Sequence, residues 1–291
     1  LFISNAGIKT AGAAVTVNNN LLVQDNAQFV PGQNVTISAG GVLTIQDNAI
    51  FNQSTNTLTG TNADLVMTDN SEYRIGRTAN GTYPELTGNY SLTGGTVVFN
   101  QAGNNIQYSI RAVDYYNLNL AATSTGANSY FDFEDGVYIE NNLTATLGGA
   151  SRIRTINGAL TVNNDFVFNS SSTGTSTLSN DVTVGTFTLT AGILTVGAFT
   201  LEINQPGGWT RNGGTLTLNV NTNVLFSGSD DQVIGGTVST TFTRLEINNS
   251  GSTGVILNQP ITVNGVFTLT QGNLVTTNAN LLTMAAGSSV S

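Results

Sequence analysis

A five-residue phrase recurs every 22 positions near the start of the chain, and this spacing constrains the fold more than any other feature of the sequence. The copies begin at Asp25, Asp47 and Asp69, so that 47 − 25 = 22 and 69 − 47 = 22. Each copy begins with Asp-Asn and ends on an aromatic residue. A fixed period of this length is typical of a stacked array in which each repeat is one coil. The sequence therefore predicts a solenoid.

Short stretches with alternating apolar and polar residues fill most of the chain. Val42–Ile45 and Leu216–Leu218 are examples, and turn formers such as Gly40-Gly41 and Asn157-Gly158 lie between them. A coil of about 22 residues accommodates two or three such strands, each paired in parallel with its counterpart one coil away. We therefore predict an all-β fold, a right-handed parallel β-helix, with the hand taken from the crossover rule. The alternative is a string of immunoglobulin-like sandwiches, which repeat as whole domains of about 100 residues.

The repeated phrase also predicts which side chains stack from coil to coil. The asparagines tolerate the left-handed backbone of a corner, and their amides can bond the asparagines above and below. The aromatic residues at the end of each phrase should stack inside the coil. A calcium ion between the carboxylates of Asp25, Asp47 and Asp69 is the alternative account of the corner. The predicted structural ladder consists of Asn26, Asn48, Asn70, Phe29, Phe51 and Tyr73.

A longer self-similarity divides the chain into modules. Val97–Phe99 matches Val224–Phe226 at an offset of 224 − 97 = 127. We predict N-terminal coils over 1–96, a first long module over 97–223 and a second, incomplete module over 224–291. More solenoid or a capping domain is expected to follow.

The 22-residue rhythm is interrupted over 74–95, a segment rich in aromatic and charged residues. All eight tyrosines of the chain lie between Tyr73 and Tyr138. Aromatic rings beside hydrogen-bond donors suit a sugar ring or a neighbouring subunit. The alternative is a loop packed over one edge of the helix. The predicted contact surface consists of Arg74, Arg77, Tyr83 and Tyr90.

Composition argues against most catalytic chemistry. The 291 residues include no Cys and no His, which removes thiolate nucleophiles, the commonest general base and the commonest metal ligands. Asp230-Asp231 resembles a pair of catalytic carboxylates, but neighbouring residues on a strand point to opposite faces, which favours a solvated loop. We expect no enzyme activity, no cofactor and no bound metal.

The charge balance argues against two classes of partner. The formal net charge is −9, with 8 Lys and Arg against 17 Asp and Glu, which leaves no basic stripe for phosphates. No run of 18 apolar residues is present, so we expect no membrane insertion. Nucleic acid is not an expected partner.

Three phrases resemble repeats in very large cell-surface proteins of Bacteroidetes: Thr93–Asn100, Tyr116–Leu120 and Ile261–Leu269. The resemblance extends over most of the chain from about Ile75 onward. It implies export through the outer membrane by the type IX route, an extracellular location at the cell surface, and a part in adhesion, gliding or fibres.

Together these features predict a non-enzymatic structural segment of a bacterial adhesin or surface fibre. It would act as a stiff rod that presents or assembles binding elements. The expected partners are neighbouring repeats of the same protein or other copies of it, with surface glycans as a further candidate. The alternative is a β-helix that binds or cleaves carbohydrate.

Overall fold

The computed structural model describes residues 1–100, 103–122, 128–155 and 157–291, and all regular structure in these ranges is β-strand. The N-terminal strands are β1 (Phe2–Ile3), β2 (Gly7–Ala11), β3 (Val15–Val17), β4 (Asn20–Val23), β5 (Ala27–Pro31), β6 (Val35–Ile37), β7 (Val42–Ile45), β8 (Ile50–Ser54), β9 (Leu58–Thr59), β10 (Asp64–Met67), β11 (Glu72–Ile75) and β12 (Gly81–Tyr83). The central strands are β13 (Tyr90–Leu92), β14 (Thr96–Phe99), β15 (Asn104–Ile110), β16 (Asp114–Tyr115), β17 (Asn117–Leu120), β18 (Asn128–Phe133), β19 (Val137–Ile139), β20 (Leu143–Ala145), β21 (Arg152–Arg154), β22 (Leu160–Asn169), β23 (Thr175–Leu178) and β24 (Val182–Ala191). The C-terminal strands are β25 (Ile193–Val196), β26 (Thr200–Ile203), β27 (Trp209–Arg211), β28 (Thr215–Leu218), β29 (Asn223–Phe226), β30 (Gln232–Gly236), β31 (Thr240–Asn248), β32 (Val255–Leu257), β33 (Ile261–Gln271), β34 (Leu274–Val275), β35 (Leu282–Met284) and β36 (Ser289–Val290).

The strands form a β-solenoid of about 13 turns with roughly 22 residues in each turn. The coils have three faces. The first face begins with β1, β4, β7, β10 and β13, the second with β2, β5, β8, β11 and β14, and the third with β3, β6 and β9. These neighbours pair in parallel, whereas sandwich domains are built from antiparallel hairpins. The predicted β-solenoid is confirmed.

Several long strands turn a corner and contribute to two faces. In β22, Leu160–Val162 pairs with β19 on the first face, while Phe166–Phe168 pairs with β20 on the second. The ten residues of β24 divide in the same way between β26 and β27. These corners keep extended backbone, so the chain bends there without a separate turn.

The core is a set of apolar rows, each running from coil to coil. One row follows the second face, where residues one coil apart are register partners and alternate side chains point inward. All its members are buried: Phe29, Phe51, Tyr73, Val97, Leu118, Leu143, Phe166, Phe187, Trp209, Ile234 and Leu257. One hydrophobic cluster extends from Val17 to Phe267.

The interruption over 74–95 is taken up by a longer coil. Leu43 pairs with Leu65 at the regular spacing of 22 residues, but Leu65 pairs with Tyr90 at a spacing of 90 − 65 = 25. The ladder of the second face continues through this coil, since Tyr73 pairs with Val97. The extra residues therefore lengthen one turn without interrupting that ladder.

The two predicted module boundaries lie inside strands that share the continuous core. Residues 96 and 97 both belong to β14, and residues 223 and 224 both belong to β29. Val97 lies on the second face, whereas Val224 lies in the ladder formed by β24, β26 and β29, which belongs to the first face. Similar strands that are 127 residues apart therefore lie on different faces, so this offset does not correspond to a whole number of coils.

Within the described ranges, no helix is long and apolar enough to cross a membrane.

Candidate functional site

The predicted aromatic residues of the repeated phrase form a stack. The ring centroids of Phe29 and Phe51 lie 5.8 Å apart, and those of Phe51 and Tyr73 lie 5.5 Å apart. Phe51 and Tyr73 are fully buried. The Tyr73 hydroxyl donates to Oε1 of Gln53, and burial raises the pKa of Tyr73 well above its usual value. The stack anchors three consecutive coils.

The predicted asparagines lie on the surface of the corner. Asn26 and Asn48 have left-handed backbones, with φ of 57° and 58°. All three, including Asn70, are exposed. The side-chain amide that bonds across coils belongs to a different residue, because Nε2 of Gln46 donates to Oε1 of Gln24 at 3.1 Å. Asn26 and Asn48 thus provide left-handed residues of the corner, while the glutamines form the side-chain hydrogen bond between coils.

The aspartates of the same corner accept local hydrogen bonds. Nε2 of Gln46 donates to Asp47 at 3.1 Å, and Gln24 donates to Asp25 at 2.9 Å. The carboxylate of Asp69 accepts from the backbone N–H of Asp47 at 3.3 Å. Over the ranges that the structure describes, no group of three or more acidic residues is arranged to hold a metal ion. These bonds tie Asp25 and Asp47 to their own corners and Asp69 to the preceding corner.

The two arginines of the predicted contact surface are held by glutamates of the same region. Arg74 lies 2.7 Å from Glu72, and Arg77 lies 3.1 Å from Glu85. Nη1 of Arg77 also donates to the backbone oxygen of Thr55 at 2.6 Å. Arg77 fastens the long coil to the preceding coil, whereas Arg74 pairs within its own strand.

The two tyrosines predicted for this surface pack inward. Tyr83 is only 1% exposed, and its hydroxyl donates to the backbone oxygen of Ala79 at 2.8 Å. The Tyr90 hydroxyl donates to the backbone oxygen of Pro84 at 3.2 Å, and burial raises the pKa of Tyr90 to about 12. Serine at either position would open the core, so such variants do not probe a contact surface.

The tyrosines that do face outward lie farther along the chain. Tyr116 and Tyr138 line a cleft on the first face with a volume of about 360 Å³. The hydroxyl of Tyr138 donates to Glu140 at 2.9 Å, and this hydrogen bond raises the pKa of Tyr138. The cleft is lined mainly by Leu92, Thr93, Asp114, Tyr116, Tyr138 and Glu140.

The cleft lies where the ladder of the first face is interrupted. The sheet that begins at β1 ends at β13, and the next strand of this face, β16, pairs onward with β19. In the described ranges no ladder joins β13 to β16. Sequence analysis missed this site. The available signal was the pattern Asp114-x-Tyr116 followed one coil later by Tyr138-x-Glu140.

A second outward tyrosine cluster lies on the third face, but its groups are already engaged with one another. The guanidinium groups of Arg152 and Arg154 lie 4.8 and 4.1 Å from the ring centroid of Tyr130. Arg154 donates two hydrogen bonds of 2.6 Å to the carboxylate of Asp132, which is 1% exposed. This arrangement stabilises the outer surface of two neighbouring coils.

A row of hydroxyl groups runs along the outside of the coils in three register-aligned runs. Thr36 and Thr59 are neighbours in the first run, with their hydroxyl oxygens 3.1 Å apart. Asp132 and Arg154 interrupt the row in its middle run. Its members are Thr16, Thr36, Thr59, Thr82, Ser109, Thr177, Thr195, Thr217, Thr241, Thr262 and Thr283.

The Asp230-Asp231 pair belongs to a corner. Oδ1 of Asp231 accepts from the backbone N–H groups of Thr253 and Gly254 at 2.7 and 3.1 Å. Hydrogen bonding to Thr253 lowers the pKa of Asp231, because these bonds favour the charged carboxylate. The carboxylate thus satisfies two backbone N–H groups of the next coil.

No protein-family model, curated protein or solved structure matches this chain.

Proposed function

We propose that the chain is a non-enzymatic structural segment of a bacterial extracellular adhesin or surface fibre, acting as a stiff rod. The observation that carries this proposal is the single core from Val17 to Phe267, which continues through coil after coil. Each coil is joined to the next by parallel ladders and by a buried apolar row. Because repeats of this kind contact only their neighbours, force applied to one end passes along the stack.

The surface chemistry supports the same role. The hydroxyl row gives the coils an outer stripe that hydrogen-bonds with water and carries charge only at Asp132 and Arg154. The likeness of Thr93–Asn100 and Ile261–Leu269 to repeats of large Bacteroidetes surface proteins supports an extracellular location and export by the type IX route. Further repeats or other copies of the same protein are the proposed partners.

Labelling of intact cells tests the location. An antibody raised against residues 1–291 should label unpermeabilised cells of the producing bacterium, and protease added outside should remove the signal. An antibody against a cytoplasmic protein is the control and should label only permeabilised cells. Labelling that requires permeabilisation would contradict an extracellular rod.

A hydrolysis assay tests the non-enzymatic part of the proposal. We expect no release of reducing ends from a panel of neutral and acidic polysaccharides. Turnover that is lost in Asp114→Asn would replace the proposed rod with a carbohydrate-cleaving β-helix.

A further inference from the structure

The cleft beside Tyr116 and Tyr138 has the size of a site for one small ring. Its volume is about 360 Å³. Ligand pockets begin at about 300 Å³, so this cleft accommodates a single ring and leaves a longer chain outside. The cleft lies between β13 and β16, which no ladder joins within the described residues.

Four outward side chains on two adjacent coils form an alternating pattern. Asp114 pairs with Tyr138, and the next residues pair as Tyr115 with Ile139. Tyr116 and Glu140 follow at the bends after these two strands, where the backbone N–H of Glu140 donates to the backbone oxygen of Tyr115 at 2.7 Å, and both side chains line the cleft. Two tyrosines and two carboxylates thus line one cleft, with Asp114 in register with Tyr138 and Glu140 within 2.9 Å of the Tyr138 hydroxyl.

The hydrogen-bonding state of these groups leaves acceptors for a ligand. Within the described residues, Asp114 accepts no hydrogen bond, and the only donor to the Glu140 side chain is the Tyr138 hydroxyl. Among the described residues, no Lys or Arg lines the cleft. Carboxylates accept hydrogen bonds and repel anions, so the ligand must supply several donors and no negative charge.

The aromatic rings complete the chemical description. Tyrosine offers a flat apolar face that packs against C–H groups, and its hydroxyl oxygen can accept a hydrogen bond even where, as at Tyr138, the proton is already donated. A ligand with one apolar face and a rim of hydroxyl donors matches both features. A peptide strand fits less well, because the open edges are short: β13 has 3 residues and β16 has 2.

We propose that this cleft binds a neutral saccharide, with one pyranose ring packed against Tyr116 or Tyr138 and its hydroxyl groups donating to Asp114 and Glu140. The inference goes beyond the rod function, since binding by the isolated chain does not depend on where the rod is used.

Fluorine NMR tests the proposal directly. The chain is produced with 3-fluorotyrosine, and Tyr116→Phe and Tyr138→Phe assign the two resonances of the cleft. Methyl glycosides of glucose, galactose, mannose and N-acetylglucosamine are the probes. At least one should shift the resonances of Tyr116 and Tyr138 in a saturable manner while leaving that of Tyr130 unchanged.

Variants identify the residues that bind. Tyr138→Ala and Asp114→Asn should each weaken binding about tenfold or more, as loss of one stacking face or one acceptor implies. Tyr130→Ala removes an outward tyrosine on another face and should leave affinity unchanged. Circular dichroism checks that all three variants keep the β-sheet signal.

Three results would overturn the proposal. These are the absence of a saturable shift with any of the four glycosides, equal weakening in Tyr130→Ala, and saturable shifts only with an extended peptide of alternating Thr and Val. The cell-labelling result for the rod does not alter any of these outcomes.

Discussion

At the scale of single residues, the aromatic stack shows how one position is used in successive coils. Phe51 is fully buried and lies between Phe29 and Tyr73, with ring centroids at 5.8 and 5.5 Å. Its neighbour Ile50 points outward and is half-buried. The two residues differ mainly in the face of the strand on which they lie.

Truncation of Phe51 tests the inner stack. Phe51→Ala should lower the free energy of unfolding by about 3–5 kcal/mol, because a cavity forms between two ring partners. Ile50→Ala is the matched control and should cost about 1 kcal/mol or less. Urea denaturation measures both. A loss below about 1 kcal/mol for Phe51→Ala would show that the ring is not internal.

The buried tyrosines predict a loss of stability at alkaline pH. Burial raises the pKa of Tyr73 and Tyr115 well above the usual 10.0. The folded state therefore holds these protons more tightly than the unfolded state. Their contribution to stability is complete below about pH 10 and is lost as pH rises toward their folded pKa.

Absorbance of tyrosinate during a pH titration measures this effect. Tyr73 and Tyr115 should ionise together with unfolding, and Tyr115→Phe should reduce the dependence of the unfolding free energy on pH above about 10. Ionisation of all eight tyrosines near pH 10 with the fold intact would contradict the burial.

The position of an individual residue could be predicted where the 22-residue spacing is regular. Phe29, Phe51 and Tyr73 follow the 22-residue spacing, so the alternation along their strands assigns them to the inside. Tyr83 and Tyr90 follow the change to a 25-residue coil, where the extra residues alter which side chains face inward. Composition alone suggested a surface for them, whereas the structure buries Tyr83.

At the scale of elements, parallel strands could be predicted because neighbouring coils resemble one another. The three-face arrangement could not, since β22 and β24 each run through a corner as one strand, and of the two only β24 has a glycine there, Gly185. The gap between β13 and β16 was also hidden. A local pattern does not reveal whether neighbouring strands of a face are joined.

Two corner glycines test what a corner requires. Gly95 and Gly40 both have left-handed backbones, with φ of 76° and 72°. A Cβ at Gly95 would lie 2.4 Å from the backbone oxygen of Ser71, whereas one at Gly40 would meet nothing within 4 Å.

Gly40→Ala should lower the free energy of unfolding by about 1–2 kcal/mol, because alanine disfavours the left-handed backbone. Gly95→Ala should cost more, because the neighbouring coil must also move. Urea denaturation of the two variants gives the difference. Equal losses would show that the coils do not approach closely at Gly95.

The aspartate corner yields a prediction about calcium. Because Asp25 and Asp47 accept hydrogen bonds from glutamines and Asp69 accepts one from the backbone of the preceding corner, EDTA should leave the melting temperature unchanged. Asp47→Asn should behave like the unsubstituted chain in the presence of EDTA. A calcium-reversible destabilisation that disappears in Asp47→Asn would instead place an ion between the coils.

At the scale of the whole molecule, the central claim is that neighbouring coils transmit force in series. The core is continuous, yet throughout the part of the chain that the structure describes each coil pairs only with the coil before it and the coil after it. Such a stack should unfold from an end, one coil after another, because the stability of each coil depends on its neighbours and not on distant coils.

Single-molecule extension between the two ends of the chain tests this claim most directly. The account predicts a series of events, each releasing one coil of about 22 residues and lengthening the chain by about 75 Å. A single event that releases the whole contour of about 1,000 Å would contradict it, because the coils would then unfold as one globular unit.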